Sequence, residues 1–348
     1  RIQQFDSKGA FQTQWGIFGT DHGQFSYPLG VAVDGLGHIF VADTSNNRIQ
    51  QFDSSGVYLA QWGSTGSGHG QFNNPGAVAV DGLGNFYVAD TSNHRIQKFG
   101  SDGTFILTFG KYGSGDGQFN EPGGVAADGQ GNVYVADTNN SRIQKFSANG
   151  AFISAWGTYG TDNGKFSSPI GVAVDGLGQV YVADTGNHRI QKFDSSGTFV
   201  LAFGGSGSDN GKFSYPKGVA VDGLGQVYVA DSDNNRIQKF DSTGSYLTQW
   251  GSSGSGDGQF SYPASVAVDD RGWVYVADTG NNRLQKFDFG GTFLAAWNTY
   301  SPGNGQLCYP YGLAVDNRGK LYVADTVSSR VLVLGIPGSL PFLNLLLD

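Results

Sequence analysis

The residues best able to do chemistry in this chain come in matched sets. An aspartate stands five positions before an arginine in Asp43/Arg48, Asp90/Arg95, Asp137/Arg142, Asp184/Arg189, Asp231/Arg236, Asp278/Arg283 and Asp325/Arg330. A second aspartate recurs at Asp34, Asp81, Asp128, Asp175, Asp222, Asp269 and Asp316. The first set could form a charged ring on one face, and the second could gather a cation at a channel mouth. Each Asp could equally accept backbone N–H bonds in a turn, with each Arg bridging to it, because charge-assisted pairs fix loop geometry. Catalysis rarely needs seven copies of one group, so both sets are read as architecture.

The remaining reactive side chains give no catalytic constellation. His22 and His69 lie in glycine-rich connectors, His38 follows a turn, and His94 and His188 precede a recurring Arg. None falls on a run that reads as an innermost strand. The connectors around Asp21, Asp116, Asp162, Asp209, Asp257 and Gly303-Asn-Gly305 offer at most one carboxylate each, and calcium wants several. Asp, Asn or His before Gly is explained as well by turn chemistry. The same glycines lack the Lys-Ser/Thr of a phosphate loop. Cys308 is the only cysteine, which rules out an intrachain disulfide and a cysteine metal cluster. No serine has a distinctive His/Asp context. No cofactor is expected.

These sets are held at a fixed interval of 47 residues, from Arg1 through Arg48 to Arg330, and an aromatic series from Trp15 to Trp297 keeps the same spacing. A period of that length signals a solenoid, array or propeller. In the copy at residues 169–203, 171–175 and 179–184 read as apolar strands, 189–193 and 198–203 as strands with alternating polar residues, and turns separate them. Four strands on short turns make an antiparallel meander. The polar third and fourth strands should be wetter than the first two, a gradient that fits a propeller blade seen from axis to rim. The 56 glycines suit many tight turns, and Glu121 is the sole glutamate, which disfavours helix.

The pattern in residues 216–222, 227–232 and 235–240 resembles the NHL repeat, and the resemblance runs over nearly the whole chain. It implies a β-propeller, usually of six blades. Here the count of inner-strand tokens predicts an all-β, seven-bladed β-propeller of four-stranded antiparallel blades spanning residues 1–334. In the seventh blade, residues 1–16 supply strands three and four and residues 310–329 supply strands one and two, closing the ring. Residues 330–334 also read as a third strand and compete with 1–5 for that slot. An apolar tail follows at 335–348. Some members of the family are metal-dependent lyases, and other propellers hold metal inside the channel. The residues just before the inner strands here are Gly30, Ala77, Gly124, Gly171, Gly218, Ser265 and Gly312, which provide no ligand beyond one hydroxyl.

With the shared residues assigned to architecture, specificity falls to the positions that vary. Before each connector proline stand Tyr27, Asn74, Glu121, Ser168, Tyr215, Tyr262 and Tyr309; two residues on stand Leu29, Gly76, Gly123, Ile170, Lys217, Ala264 and Tyr311. Both positions should precede the inner strand, near the channel entrance on one face. In a closed ring the four tyrosines form an arc with Lys217 and Tyr311 beside it. Tyrosine gives large contact area at low entropic cost. The candidate ligand site is therefore Tyr27, Tyr215, Lys217, Tyr262, Tyr309 and Tyr311, against the alternative that each Tyr merely packs within its blade.

A net charge of −8 without basic runs makes nucleic acid a poor partner. No run reaches the ~18 apolar residues of a membrane span, and no stretch resembles a signal peptide. The chain has no methionine, so it is read as processed, trimmed or internal. The expected function is non-catalytic binding or scaffolding of a protein, peptide or glycan. The setting is read as extracellular or cell-surface, from low charge and a glycosylation sequon at Asn139. The alternative is a metal-dependent lyase or hydrolase with a central-channel site.

Overall fold

The computed structural model describes residues 2–5, 11–15, 17–297, 307–315, 321–327 and 330–334, with side chains described for 17–297, 307–315 and 321–327. It is an all-β propeller. Six blades are four-stranded antiparallel meanders, spanning residues 31–62, 75–109, 122–156, 169–204, 216–250 and 263–297. Asp316, the 303–305 connector and the 335–348 tail lie outside the described residues. No helix among the described residues is long and apolar enough to cross a membrane.

In the blade at 122–156 the strands are Pro122–Ala127, Val133–Asp137, Arg142–Phe146 and Phe152–Trp156. The inner strand thus starts at the proline itself. The variable positions Gly76, Gly123, Ile170, Lys217, Ala264 and Tyr311 lie on inner strands rather than before them, as do Ala77, Gly124, Gly171, Gly218, Ser265 and Gly312. The first turn opens on an aspartate whose carboxylate accepts two backbone N–H groups, as Asp128 does from Gln130 and Asn132. Short Asp and Gly residues stabilise such turns through this local bonding.

The third strand differs from expectation: it is buried along its length instead of wetter than the second. Its polar residues are inside because each finds a partner. Gln97 donates to Asp90 Oδ2 and to the Gln71 carbonyl, and accepts from Gly70 N–H. Lys98, Lys145, Lys192 and Lys239 run their stems across Tyr87, Tyr134, Tyr181 and Tyr228. Each ammonium donates to a carbonyl of the following blade, at Ala148, Ser195, Ser242 and Phe289. Burial costs little once every donor is satisfied. The fourth strand does carry the expected exposure, with Leu59, Ile106, Ile153, Val200, Leu247 and Leu294 outward.

The last sheet also departs from the predicted four-stranded blade. It has five strands, ordered Phe11–Trp15, Ile2–Phe5, Arg330–Leu334, Leu321–Asp325 and Pro310–Val315. Arg330–Leu334 takes the third-strand slot in the register of the other blades, with Asp325 opposite Arg330. Ile2–Phe5 adds outside it, in parallel, with Gln4 opposite Val333. A hairpin between neighbouring strands closes a loop of a few residues, whereas residues 1–5 must arrive from the far end of the chain, so the local strand wins.

Blades interlock through glycine as well. The turn before each outer strand carries a left-handed glycine lying on the outer-strand aromatic of the blade before: Gly103 on Trp62, Gly150 on Phe109, Gly197 on Trp156, Gly244 on Phe203 and Gly291 on Trp250. A Cβ on Gly103 would fall inside the Trp62 indole, while one on Gly70, of similar φ, would meet nothing. Gly70→Ala should therefore cost about 1 kcal/mol for left-handed backbone alone, and Gly103→Ala roughly 2–5 kcal/mol once overpacking is added. Equal losses for the two variants in urea denaturation would contradict this packing.

Candidate functional site

The aspartate and arginine sets meet as buried pairs. Arg48, Arg95, Arg142, Arg189, Arg236 and Arg283 place Nε 2.6–2.7 Å from Oδ2 of Asp43, Asp90, Asp137, Asp184, Asp231 and Asp278. Asp325 and Arg330 face one another in backbone register, and the Arg330 side chain is outside the described residues. Each guanidinium also collects the connector that enters its blade. Arg189 donates through Nη1 to the Thr161 carbonyl and through Nη2 to the Asp162 and Lys165 carbonyls, all at 2.7 Å. The carbonyls that could have ringed a calcium ion thus converge on a guanidinium. Burial pushes the Asp43 and Asp278 carboxyls up, against backbone N–H, Asn and Arg donors that pull them down. Such a pair positions the chain more than it adds net stability.

The histidines are engaged in packing and bonding. His22 stacks on Tyr58 and His69 on Phe105, each at 4.7 Å. His38 Nδ1 lies 2.8 Å from Asp34. His94 and His188 occupy left-handed positions after a short 3-10 turn, where their Nδ1 accepts the N–H of Glu121 and Tyr215. Asn47, Asn235 and Asn282 do the same for Asn74, Tyr262 and Tyr309. No group of three His, Cys, Asp or Glu is arranged to hold a metal among the described residues.

That bond holds the position before the proline at Asn74, Glu121, Tyr215, Tyr262 and Tyr309. Tyr27, Asn74, Glu121, Ser168, Tyr215, Tyr262 and Tyr309 all have φ between 46° and 61°, a conformation non-glycine residues seldom adopt. Its recurrence makes the backbone there architectural. The side chains are another matter: Tyr27, Tyr215 and Tyr309 are about half exposed.

The neighbouring variable position lines the channel. A cavity of ≈ 260 Å³ is bounded by Leu29, Gly76, Gly123, Ile170, Lys217, Ala264 and Tyr311, with inner-strand residues beneath. Glycine keeps this wall thin, since a Cβ on Gly124, Gly171 or Gly312 would strike a carbonyl of the next strand. Of the six candidates, Lys217, Tyr262 and Tyr311 come together. The Lys217 ammonium sits 4.6 Å from the centre of the Tyr262 ring. Burial works to lower the Lys217 pKa, but hydrogen bonding to Tyr262 and the proximity of Tyr311 and Asp233 outweigh it and hold the ammonium above its ordinary value. Tyr215 packs edge-on against His188 instead, 4.5 Å away.

One perturbed residue escaped the sequence reading. Lys286, at the opposite end of the third strand from Arg283, is buried, and burial lowers its pKa to about 8, helped by Arg271 and opposed by Asp269. Its ammonium lies 3.1 Å from the Trp273 ring centre and 5.6 Å from that of Tyr275, whereas the lysines of four other blades lie 5.0–5.1 Å from a Tyr ring centre. Trp273 in place of Asn or Gln at the strand start was the visible signal.

Short four-stranded blades with side chains from every inner strand around one axial cavity define a β-propeller built from sequence repeats. The NHL repeat matches residues 25–52, 72–99, 119–146, 166–193, 213–240, 260–287 and 307–334, more than half of the chain, and the chain belongs to the NHL repeat family. No curated protein matches it in sequence. Among solved structures, a streptogramin B lyase superposes with a TM-score of 0.71 at 16% identity, over 88% of this chain and 92% of the lyase. Virginiamycin B lyase from Staphylococcus aureus gives 0.68 at 12%, over 88% and 94%. Kuenenia stuttgartiensis hydrazine synthase gives 0.71 at 14%, over 90% and 96%. Identities this low establish a common fold.

Arg189→Ala strands a buried carboxylate and frees a connector, so it should cost about 3–5 kcal/mol; an unchanged melting temperature would refute the pinning role. For Lys286, the folded value of about 8 lies below the ordinary 10.5. The penalty is complete below the folded value, and wild-type stability rises with pH between the two, because the unfolded chain binds the proton longer. Lys286→Met should thus be more stable than wild type by about 1–2 kcal/mol near neutral pH, with the gap closing towards the unfolded value. A gap that stays constant with pH would count against the buried charge.

Proposed function

We propose that this chain is a non-catalytic binding propeller that recognises a protein, peptide or glycan partner on the face where the channel opens beside Lys217, Tyr262 and Tyr311. The observation carrying this reading is the asymmetry of the mouth. Seven repeats supply one residue each, and the large polar ones fall at Lys217 and Tyr311, with Gly76 and Gly123 across from them. Half-exposed Tyr27, Tyr215 and Tyr309 extend the same rim. Rigid aromatic side chains on a rigid ring suit recognition with little ordering cost.

Residues 1–334 are read as one ring of seven. Tyr322 and Ala324 of the last sheet pack with Phe25, Val31, Ile39 and Val41 of the first blade. Thr279 Oγ1 bonds the Pro310 carbonyl just as Thr44 bonds that of Pro75. An extracellular or cell-surface setting fits low charge and the exposed Asn139 of the Asn-Asn-Ser sequon.

A metal-dependent lyase or hydrolase, to which the two lyases among the similar structures would point, needs ligands or acid–base groups around the channel. The lining provides only Lys217, Ser265 and Tyr311 among glycine, alanine and aliphatic residues. That donor set favours binding.

Screening labelled protein on peptide and glycan arrays tests the proposal. Replacing both Tyr262 and Tyr309 with Ala should remove the captured ligand while leaving the melting temperature within a few degrees, and full retention would refute the site. Stoichiometric zinc or calcium in the purified protein would favour the enzyme instead.

A further inference from the structure

The channel mouth holds one cation, Lys217, which is engaged by Tyr262 but not by a carboxylate in direct contact among the described residues. Lys217 projects from the inner strand Pro216–Val221 and lines the cavity. No carboxylate lies within 4 Å of its ammonium among the described residues, where every repeat arginine there has one. The lysines of the third strands at 98, 145, 192 and 239 lie over tyrosine rings and end on backbone carbonyls, whereas Lys217 hydrogen-bonds to Tyr262 and lies 4.6 Å from the centre of its ring, with Asp233 in the vicinity. An ammonium has three N–H donors, so a bond to one tyrosine leaves others for a ligand.

The next blade contributes Ala264 at the equivalent position, buried and small, and the sheet beyond contributes Tyr311. Ala264 therefore leaves a gap walled by Lys217 on one side and Tyr311 on the other, with Ser265 lining the same cavity. The opposite arc is Leu29, Gly76, Gly123 and Ile170, which offer no polar side chain. The result is a one-sided arrangement of an ammonium and hydroxyl donors facing an apolar wall.

We propose that Lys217, Ser265 and Tyr311 form a carboxylate-binding notch, which takes the acid group of a ligand whose apolar body lies in the channel mouth. This rests on the reading of the same mouth as a binding site and adds the charge and polarity of what it binds. An uncharged group would leave the ammonium without a counter-charge on binding, while a carboxylate accepts from all three donors. A large polyanion would instead meet a chain of net charge −8.

The test uses the full chain and three probes by isothermal titration calorimetry: an acetylated tripeptide ending in phenylalanine with a free carboxylate, the same peptide as its amide, and 3-phenylpropionate. Wild type should bind the free-acid peptide about tenfold more tightly than the amide, the scale of one charge-assisted hydrogen bond. Lys217→Gln should bind both equally, and Lys217→Arg should keep the preference. Tight binding of 3-phenylpropionate would identify a small acid as sufficient, and its failure beside a binding peptide would place the carboxylate on a peptide end. Equal affinity of wild type for acid and amide, no binding of any probe at millimolar concentration, or a preference that survives Lys217→Gln would each overturn the notch. Array capture that needs Tyr262 and Tyr309 but ignores Lys217→Gln would overturn the notch and leave the binding face standing. A Lys217-dependent acid preference with no array ligand would leave the notch standing and overturn a peptide or glycan of the arrays as its partner.

Discussion

A guanidinium in each of six described blades holds its connector to the propeller. There the repeat arginine pairs with the aspartate that ends the second strand and donates to carbonyls of the connector entering its blade, as Arg95 does to Ser67, Gly68 and Gln71. Glycine-rich connectors are costly to order, since each residue surrenders more freedom than any other type. A planar cation with five donors can order such a loop from one fixed point, which a lysine could not. The buried phenylalanine that follows, Phe72 in this copy, then inserts into the blade core beside Phe86 and Phe99. The connector's geometry sets where the next proline lies, and hence where the inner strand begins.

That constraint explains what was legible in the sequence and what was not. The interval of 47 residues located the turns that recur among the described residues, and the Asp at the first turn of each described blade marked where it opens. The third strand misled because its Gln and Lys alternate with apolar residues, a pattern that normally means one wet face. Their partners lie far away in sequence: Lys98 reaches Ala148, in the next blade. Local periodicity carries no trace of such contacts. The left-handed backbone at Tyr27, Tyr215, Tyr262 and Tyr309 was hidden for a related reason. At Tyr215, Tyr262 and Tyr309 it goes with a bond from a side chain of the preceding blade, such as Asn235 on Tyr262, and tyrosine has no preference for it.

The histidines illustrate how a repeat gives a negative answer its force. His94 or His188 alone, half-buried beside an acidic or aromatic residue, would invite a catalytic reading. Seen against Asn47, Asn235 and Asn282 in the same place and with the same bond, each is an acceptor that substitutes for an amide. The candidate site drew the opposite lesson. Lys217 and Tyr311 could be singled out because their position varies, but Tyr262 belonged with them only through a contact from one blade to the next. Tyr27 and Tyr309, equally prominent in sequence, are tied to the site by the rim alone.

A ring of near-identical units presents a near-symmetric mouth, and a symmetric mouth cannot orient an asymmetric ligand. Orientation requires that at least one unit differ in charge or size. The inner strands permit such a difference at little cost, because the position at Lys217 takes no part in the pins, the turns or the blade cores. The equivalent positions hold Gly, Ile, Ala and Tyr on inner strands, and Leu29 just ahead of one. The propeller therefore separates stability from variation along the chain: residues repeated at every interval carry the first, and the position of Lys217 carries the second. Lys217, the single charge among the seven equivalent positions, is where the likeness of the units fails in field as well as in shape.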